Sequence, residues 1–394
     1  MAAMQTRYPD DAEQKRALAR LERYVRIETP TGDAVAILSL IALLAEQYAS
    51  LGAETTLHPV AGGAHLVVNL PGRGRGEGQA PVLLVGHADT VWPRGTLASE
   101  PAWSNDGARI TGPGAFDMKS GLVVIEEALI LTAAADDRRP VRIIVTADEE
   151  IGSPSSRELL IREAEGCAAA IGFESPHPDG GLKVGRLGST RLRLFVTGVG
   201  AHAALDPDSG VSAAEELIDQ LVLVRAIVES VRAETGQQVL YNLGSIDAPG
   251  LTNVVSSRAE ALLGFRFSQA ESEARVLAGI DSLVPIRAGA SIAFERLSYR
   301  PTWTARPADV ALARSLSEAA GGLPGHAPAA GAADTNFLGR LDLAVVDGMG
   351  PRGGGAHARS EHLLIADLWQ RIVLLSRFLC DSRAGQQDVA PTEE

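Results

Sequence analysis

Apolar residues recur at helical spacing near the start of the chain and give way to short continuous runs further on. The first pattern predicts a helix over about Asp10–Ile27, a break at ETPTGD, and an amphipathic helix over about Ala34–Leu51. Three short runs follow, ETTLHPV, HLVVNL and PVLLVG, with the glycine-rich GRGRGEGQ between the last two as a hairpin turn or loop. Met118–Ala134 reads as a helix, VRIIVTA as a buried strand, Ser155–Glu165 as a helix and AAAIGF as a strand. Strands alternating with helices in this way predict an α/β fold with a doubly wound, largely parallel sheet.

Near Arg186 the rhythm changes. STRLRLFVTG alternates with period two, Val211–Glu234 is a long amphipathic helix, and QQVLYNLGSI and RAEALLGFRF read as strands. A helix over Glu271–Val284 and the strand ASIAFERLS complete the order β-α-β-β-α-β of a ferredoxin-like α/β sandwich. The earlier alternation then resumes with a helix at Pro307–Ala320, the strand LAVVDG and a helix at Ala366–Leu379. The expected organisation is a main domain in two parts, residues 1–185 and 299–380, flanking an inserted domain over 186–298, with a disordered tail over 381–394.

Composition sharpens this only modestly. A chain of 394 residues exceeds what one hydrophobic core usually organises, which agrees with two domains. No apolar run approaches the ~18 residues of a membrane span. The opening MAAMQTRYPDDAEQKRALAR lacks the apolar stretch of an export signal, and the cysteines Cys167 and Cys380 suit reduced thiols, so a cytoplasmic location is expected. The net charge of −13 argues against nucleic acid or an anionic membrane as partner. It also means that an anionic substrate needs a local positive pocket.

The candidate chemistry lies at the ends of the apolar runs. PVLLVG ends at His87, VRIIVTAD at Glu149 and Glu150, and AAAIGF at Glu174. In open α/β sheets the binding crevice lies outside the carboxyl ends of the strands, so three strands deliver these side chains to one rim. Asp117 is expected at the start of the Met118 helix, where free amides favour a carboxylate. His357 closes the loop MGPRGGGAH, where glycine lets backbone approach a ligand closely. Each residue alone has an ordinary explanation: a turn or cap for the Asp, a solvated Glu-Glu pair, a surface or core His. Together, imidazoles and carboxylates without cysteine form the ligand inventory of a two-metal hydrolytic site, in which ions about 3.5–4 Å apart share a carboxylate. His58, His65, His177, His326 and His362 have no ligand-like context, and Trp92, Trp103, Trp303 and Trp369 read as packing residues.

LLVGHADTVWPRGT, ITGPGAFDMKSG, VTADEEIGS, IGFESP and GGGAHARSEH resemble the successive signatures of the di-zinc amidohydrolase family of glutamate carboxypeptidase, acetylornithine deacetylase and succinyl-diaminopimelate desuccinylase. Their wording sits nearest the bacterial glutamate carboxypeptidase branch. The resemblance implies two Zn2+ per chain, with Co2+ or Mn2+ able to substitute. By it, Asp117 bridges both ions, His87 and Glu174 complete one site, and Glu150 and His357 the other. It makes Asp89 the carboxylate that takes the His87 ring N–H, and Glu149 the general base. His202, in VTGVGAHAAL, would reach the partner subunit's active site and steady the oxyanion, so the resemblance implies a homodimer formed through the inserted domain. Asn253, Arg266 and Arg300 fall at substrate-contacting positions, with Arg300 a clamp for a carboxylate; Lys183 could assist, and Asp334 lies near the substrate. The expected activity is hydrolysis of an amide or peptide next to a free carboxylate. An N-acyl-amino-acid deacylase or dipeptidase is the alternative, and an inactive binding protein on the same fold a more remote one.

Overall fold

The structure is a computed structural model that describes residues 7–322 and 325–380. It divides into two compact units. The first runs to Gly185 and resumes at Ala305–Ala329 and from Ala333 onward; the second comprises Arg186–Thr304 and Ala330–Ala332. The sequence reading set its boundaries at 185/186 and 298/299, and its tail from 381 lies outside the described residues.

In the first unit, α1 (Asp11–Arg26) and α2 (Ala34–Ser50) start on aspartates. Asp10 accepts from the Glu13 amide while Glu13 accepts from the Asp10 amide, a reciprocal cap, and Asp33 accepts from the amide of Ala36. Leu21, Tyr24 and Val25 of α1 and Ile37, Leu40, Ile41 and Leu44 of α2 are buried. The strands β1 (Glu54–Val60), β2 (Gly63–Leu70) and β3 (Val82–His87) follow. After them come the short β4 (Ser104–Asn105) and β5 (Arg109–Thr111), then α3 (Ser120–Leu131), β6 (Val141–Thr146), α4 (Arg157–Ala164), β7 (Ala169–Gly172) and β8 (Leu182–Arg186).

Beyond the second unit the first is completed by α7 (Pro307–Ala320), β13 (His326–Ala329), α8 (Thr335–Leu338), β14 (Ala344–Val346), β15 (Gly353–Gly354), β16 (His362–Leu364) and α9 (Ile365–Cys380). The main sheet has the order β1-β2-β6-β3-β7-β14. Strands β6, β3, β7 and β14 are parallel, while β1 and β2 run antiparallel at one side. Every residue of β3 is buried, as a strand covered on both faces requires. Because β6 lies between β2 and β3, GRGRGEGQ is a crossover loop and not a hairpin turn.

The second unit holds β9 (Gly188–Thr197), α5 (Ala213–Thr235), β10 (Val239–Asp247), β11 (Arg258–Phe267), α6 (Ala270–Asp281) and β12 (Ser291–Arg300). Its antiparallel sheet has the order β10-β11-β9-β12, the ferredoxin-like arrangement. Alternation along β9 turns Leu192, Leu194 and Val196 to a core shared with Leu217, Val224 and Val228 of α5. The long helix α5 is capped by Ser212 and ends at Gly236, whose φ of 66° is the left-handed conformation that glycine adopts without cost. No helix among the described residues is long and apolar enough to cross a membrane.

One expectation near the candidate site fails. The helix predicted from Met118 begins instead at Ser120, and Ala115–Lys119 form a separate wide turn in which Asp117 and Met118 have non-helical φ/ψ. Asp117 therefore gains nothing from free helix amides. Its own amide donates to the Glu361 carboxylate.

Candidate metal centre

The parallel register brings the carboxyl ends of three strands level. His87 of β3 lies opposite Thr146 of β6, and Val85 lies opposite Gly172 of β7, so the residues just beyond β6 and β7 emerge beside His87. The His87 ring is buried, and its Nδ1 lies 2.9 Å from the main-chain carbonyl of Asp89. That contact puts the ring proton on Nδ1 and leaves the Nε2 lone pair available. The carboxylate of Asp89, the partner expected from the sequence, is the more distant at 3.4 Å. It is engaged elsewhere: the amides of Glu149 and Glu150 each donate to it at 3.2 Å and Thr31 Oγ1 at 2.8 Å. Asp89 thus holds the Glu149–Glu150 turn against the end of β3. Asp148 fixes the other side of that turn, accepting from the Ser155 amide and hydroxyl and from the Ser156 hydroxyl at 2.6–2.7 Å.

Asp117 sits between two clusters. Its Oδ1 is 3.3 Å from His87 Nε2, which is also 3.5 Å from Glu174 Oε1. Its Oδ2 is 3.1 Å from His357 Nε2, which is also 3.2 Å from Glu150 Oε2. Four ligand atoms at about 2.0–2.2 Å around a tetrahedral zinc stand about 3.3–3.6 Å apart, so these separations are close to those of a coordination shell. By mutual distance alone, His87–Glu149–Glu174 and His87–Asp117–Glu150 also qualify as metal-holding groups. A second observation fits a cation here. Among the described residues, His87 Nε2 and Glu150 Oε1 are buried without any hydrogen-bond partner, a costly state that a bound ion would relieve.

The electrostatics agree. Burial opposes charge on His87, yet Asp117, Asp89 and Glu174 overcome it and hold its pKa well above the ordinary imidazole value. The hydrogen bonds of His357 to Asp117 and Glu150 push its pKa up to about 10. A field that favours a proton on both rings favours a metal cation in the same place.

The turn bearing Asp117 is held from two sides. Glu361, fully buried, accepts from the amides of Gly114, Phe116 and Asp117 at 2.9–3.1 Å and from the Trp92 indole at 2.5 Å. Lys119, also buried, donates to the carbonyls of Tyr24 and Ile27 at the end of α1. Burial lowers its pKa to about 7. The sequence reading missed Glu361 and assigned Trp92 to packing. Glu361 lies within GGGAHARSEH, four residues after His357, which was the available signal. His65, which has no ligand-like context in the sequence, is buried, with Nδ1 accepting from the Ala147 amide and Nε2 against Ser155.

The remaining expected residues are placed as follows. Asp334 is buried beneath the cluster, accepting from Thr146 and Ser153, and lines a small hollow with His87, Glu149, Glu174 and Asp347. Lys183, on β8, has its ammonium 3.4 Å from Ser175 Oγ. The other four belong to the second unit. His202 is exposed, and its Nδ1 accepts from the amides of Ala204 and Leu205, which leaves the proton on Nε2 as an outward donor. Asn253 adjoins it, its carbonyl accepting from the Ala203 amide. Arg266 and Arg300 both lie opposite Ser189 of β9, one on either side.

The sequence pattern described as Peptidase family M20/M25/M40 matches residues 83–381, more than half of the chain. Carboxypeptidase G2 of Pseudomonas sp. (strain RS-16) is 27% identical over 387 residues, covering 95% of this chain and 91% of that protein. Succinyl-diaminopimelate desuccinylase of Gluconacetobacter diazotrophicus is 27% identical over 357 residues, covering 86% and 90%. Among solved structures, the YXEP protein of Bacillus subtilis, described as a dinuclear metal binding peptidase from the M20 family, superposes with a TM-score of 0.62 at 17% identity. The superposition covers 94% of this chain and 99% of that one.

Proposed function

The chain belongs to Peptidase family M20/M25/M40 and is a metallo-hydrolase of that family, and we propose that it cleaves an amide bond next to a free carboxylate in the manner of a glutamate carboxypeptidase. The observation that carries this reading is Asp117, whose two oxygens face separate His/Glu pairs beside the unpartnered His87 Nε2. In this reading two zinc-type ions would be held by Asp117 in common, with His87 and Glu174 completing one site and Glu150 and His357 the other. When bound, such ions acidify a water and polarise the amide carbonyl.

The chain's own residues supply the rest. Glu149, buried at the rim and held by its amide to Asp89, takes the proton from water and returns it to the leaving amine. His202, with its proton on Nε2, reaches the partner subunit's active site in this reading and donates to the oxyanion that forms there. Arg300 pairs with the substrate carboxylate, and Arg266, Asn253 and Lys183 contact the substrate. The reading includes a cytoplasmic homodimer formed through the second unit. Supporting the dimer, β10 is an edge strand with Leu240, Leu243 and Ile246 exposed, the kind of edge that a second chain covers.

An N-acyl-amino-acid deacylase is the second reading, favoured by the similarity to the desuccinylase. A panel of C-terminal glutamyl, aspartyl and neutral amino-acid amides, assayed beside N-succinyl and N-acetyl amino acids with added zinc or cobalt, separates the two. Turnover confined to the acylated amino acids would overturn the carboxypeptidase assignment.

A further inference from the structure

We infer that Glu361 is a positioning residue that ties together three ligand-bearing segments of the metal centre and so sets where Asp117 and His357 stand. The inference rests on the metal-centre reading above. Its side chain reaches two of the segments. Oε1 accepts from the amides of Phe116 and Asp117 at 2.9 and 3.1 Å, which fixes the backbone that carries the bridging carboxylate. Oε2 accepts from the Gly114 amide at 3.1 Å and from Trp92 Nε1 at 2.5 Å. Trp92 ends the segment that begins with His87 and Asp89.

The third segment is Glu361's own. Its amide donates to Ala358 at 2.9 Å and the Ala358 amide donates to Gly355 at 2.8 Å, closing the turn that presents His357. His357 itself has φ 60°, a left-handed conformation that a non-glycine residue keeps only when its surroundings hold it there.

The division of labour among the ligands explains the need for such a tie. His87 ends a central strand, and Glu174 follows another by two residues, so the register of the sheet places both. Asp117 lies in an irregular turn, and His357 lies in the loop that joins the paired strands β15 and β16, so strand register places neither side chain directly. Glu361 fixes the first through its side chain and closes the turn of the second through its main chain.

A carboxylate suits this position because all four groups facing it are donors. An ionised carboxyl accepts at both oxygens, whereas an amide must turn its NH2 toward one pair of them. Glu361→Gln therefore keeps the shape of the side chain and damages only the tie.

The test uses the full chain, stripped of metal with a chelator and titrated with Co2+. Wild type is expected to take two ions. Glu361→Gln is expected to bind both ions more weakly, because Asp117 serves both, with the ion beside His357 affected most, by about 10–100-fold, the usual effect of losing a group that orients a ligand. Its visible Co2+ spectrum should change, and kcat should fall with KM within about twofold, in line with a displaced ligand and intact substrate contacts. Trp92→Phe removes one of the four donors and should weaken the same ion by a smaller factor.

Glu126→Gln serves as the structural control. That buried carboxylate on α3 accepts from Tyr24, so its loss should lower the melting temperature without moving either metal affinity. The inference is overturned if Glu361→Gln binds both ions as wild type does, or if Glu126→Gln reproduces its metal loss. Should Glu361→Gln fail to fold, an unchanged affinity for the ion beside His357 in Trp92→Phe overturns it equally. Wild type binding fewer than two ions sinks the metal-centre reading itself, which separates the two failures.

Discussion

Glu149 and Glu150 share one short turn, both amides held by Asp89, yet the proposal gives them different work. Glu150 Oε2 faces His357, whereas Glu149 groups with His87 and Glu174 and could by distance alone act as a ligand there. Substitution distinguishes the roles. Glu149→Ala is expected to keep both metals and lose turnover by about 10²–10⁴-fold, since only a proton-transfer group is removed. Metal analysis that finds an ion missing from this variant would reassign Glu149 as a ligand. Asp117→Ala, by contrast, should lose metal at both sites, and retention of two ions would end its bridging role. At this scale the residue types were legible, because imidazole and carboxylate at strand ends is an unusual pattern. Glu361 and Trp92 were not, because a buried acceptor and an indole carry the same letters as a solvated Glu and a packing Trp.

Among elements, those with strong periodicity were read closely. The helix predicted over Pro307–Ala320 has those limits as α7, and ETTLHPV is β1 residue for residue. The two- to four-residue strands β4, β13, β15 and β16 had no periodic signal to read. Only Met118 and Lys119 of the π-type turn at Ala115–Lys119 were read into the helix after it, since Met118 continues that helix's apolar pattern. The central strand carries its own expectation. Leu84 is wholly buried in β3, so Leu84→Ala should cost about 2–5 kcal/mol of stability, measured by denaturant unfolding. A change under about 1 kcal/mol would mean that β3 is not the packed centre of the sheet.

For the whole molecule, metal and stability are linked. An ion that binds only the folded chain stabilises it by about 2.7 kcal/mol when present at a hundred times its Kd. Chelation should therefore abolish activity and lower the melting temperature by several degrees, with both restored by added zinc. A melting curve indifferent to chelator would contradict a cation at the Asp117 cluster. Association is tested separately. Ile246→Asp places a charge on the exposed edge strand β10 and should shift the protein to monomer in sedimentation; an unaltered dimer would place the interface elsewhere.

By itself the sequence determined two things: the alternation of strands and helices that builds a mostly parallel sheet with a ferredoxin-like insertion, and the identity of the side chains delivered to the strand ends. Both are written in local periodicity, which burial enforces along every strand and helix. The tertiary structure alone decided how Asp117 divides its oxygens between two histidines, and that Glu361 holds the turn beneath it. Those contacts join residues as far apart in the chain as Trp92 and Glu361 through irregular polar loops. Such loops are shaped by hydrogen bonds that close only after the sheet has brought their ends together.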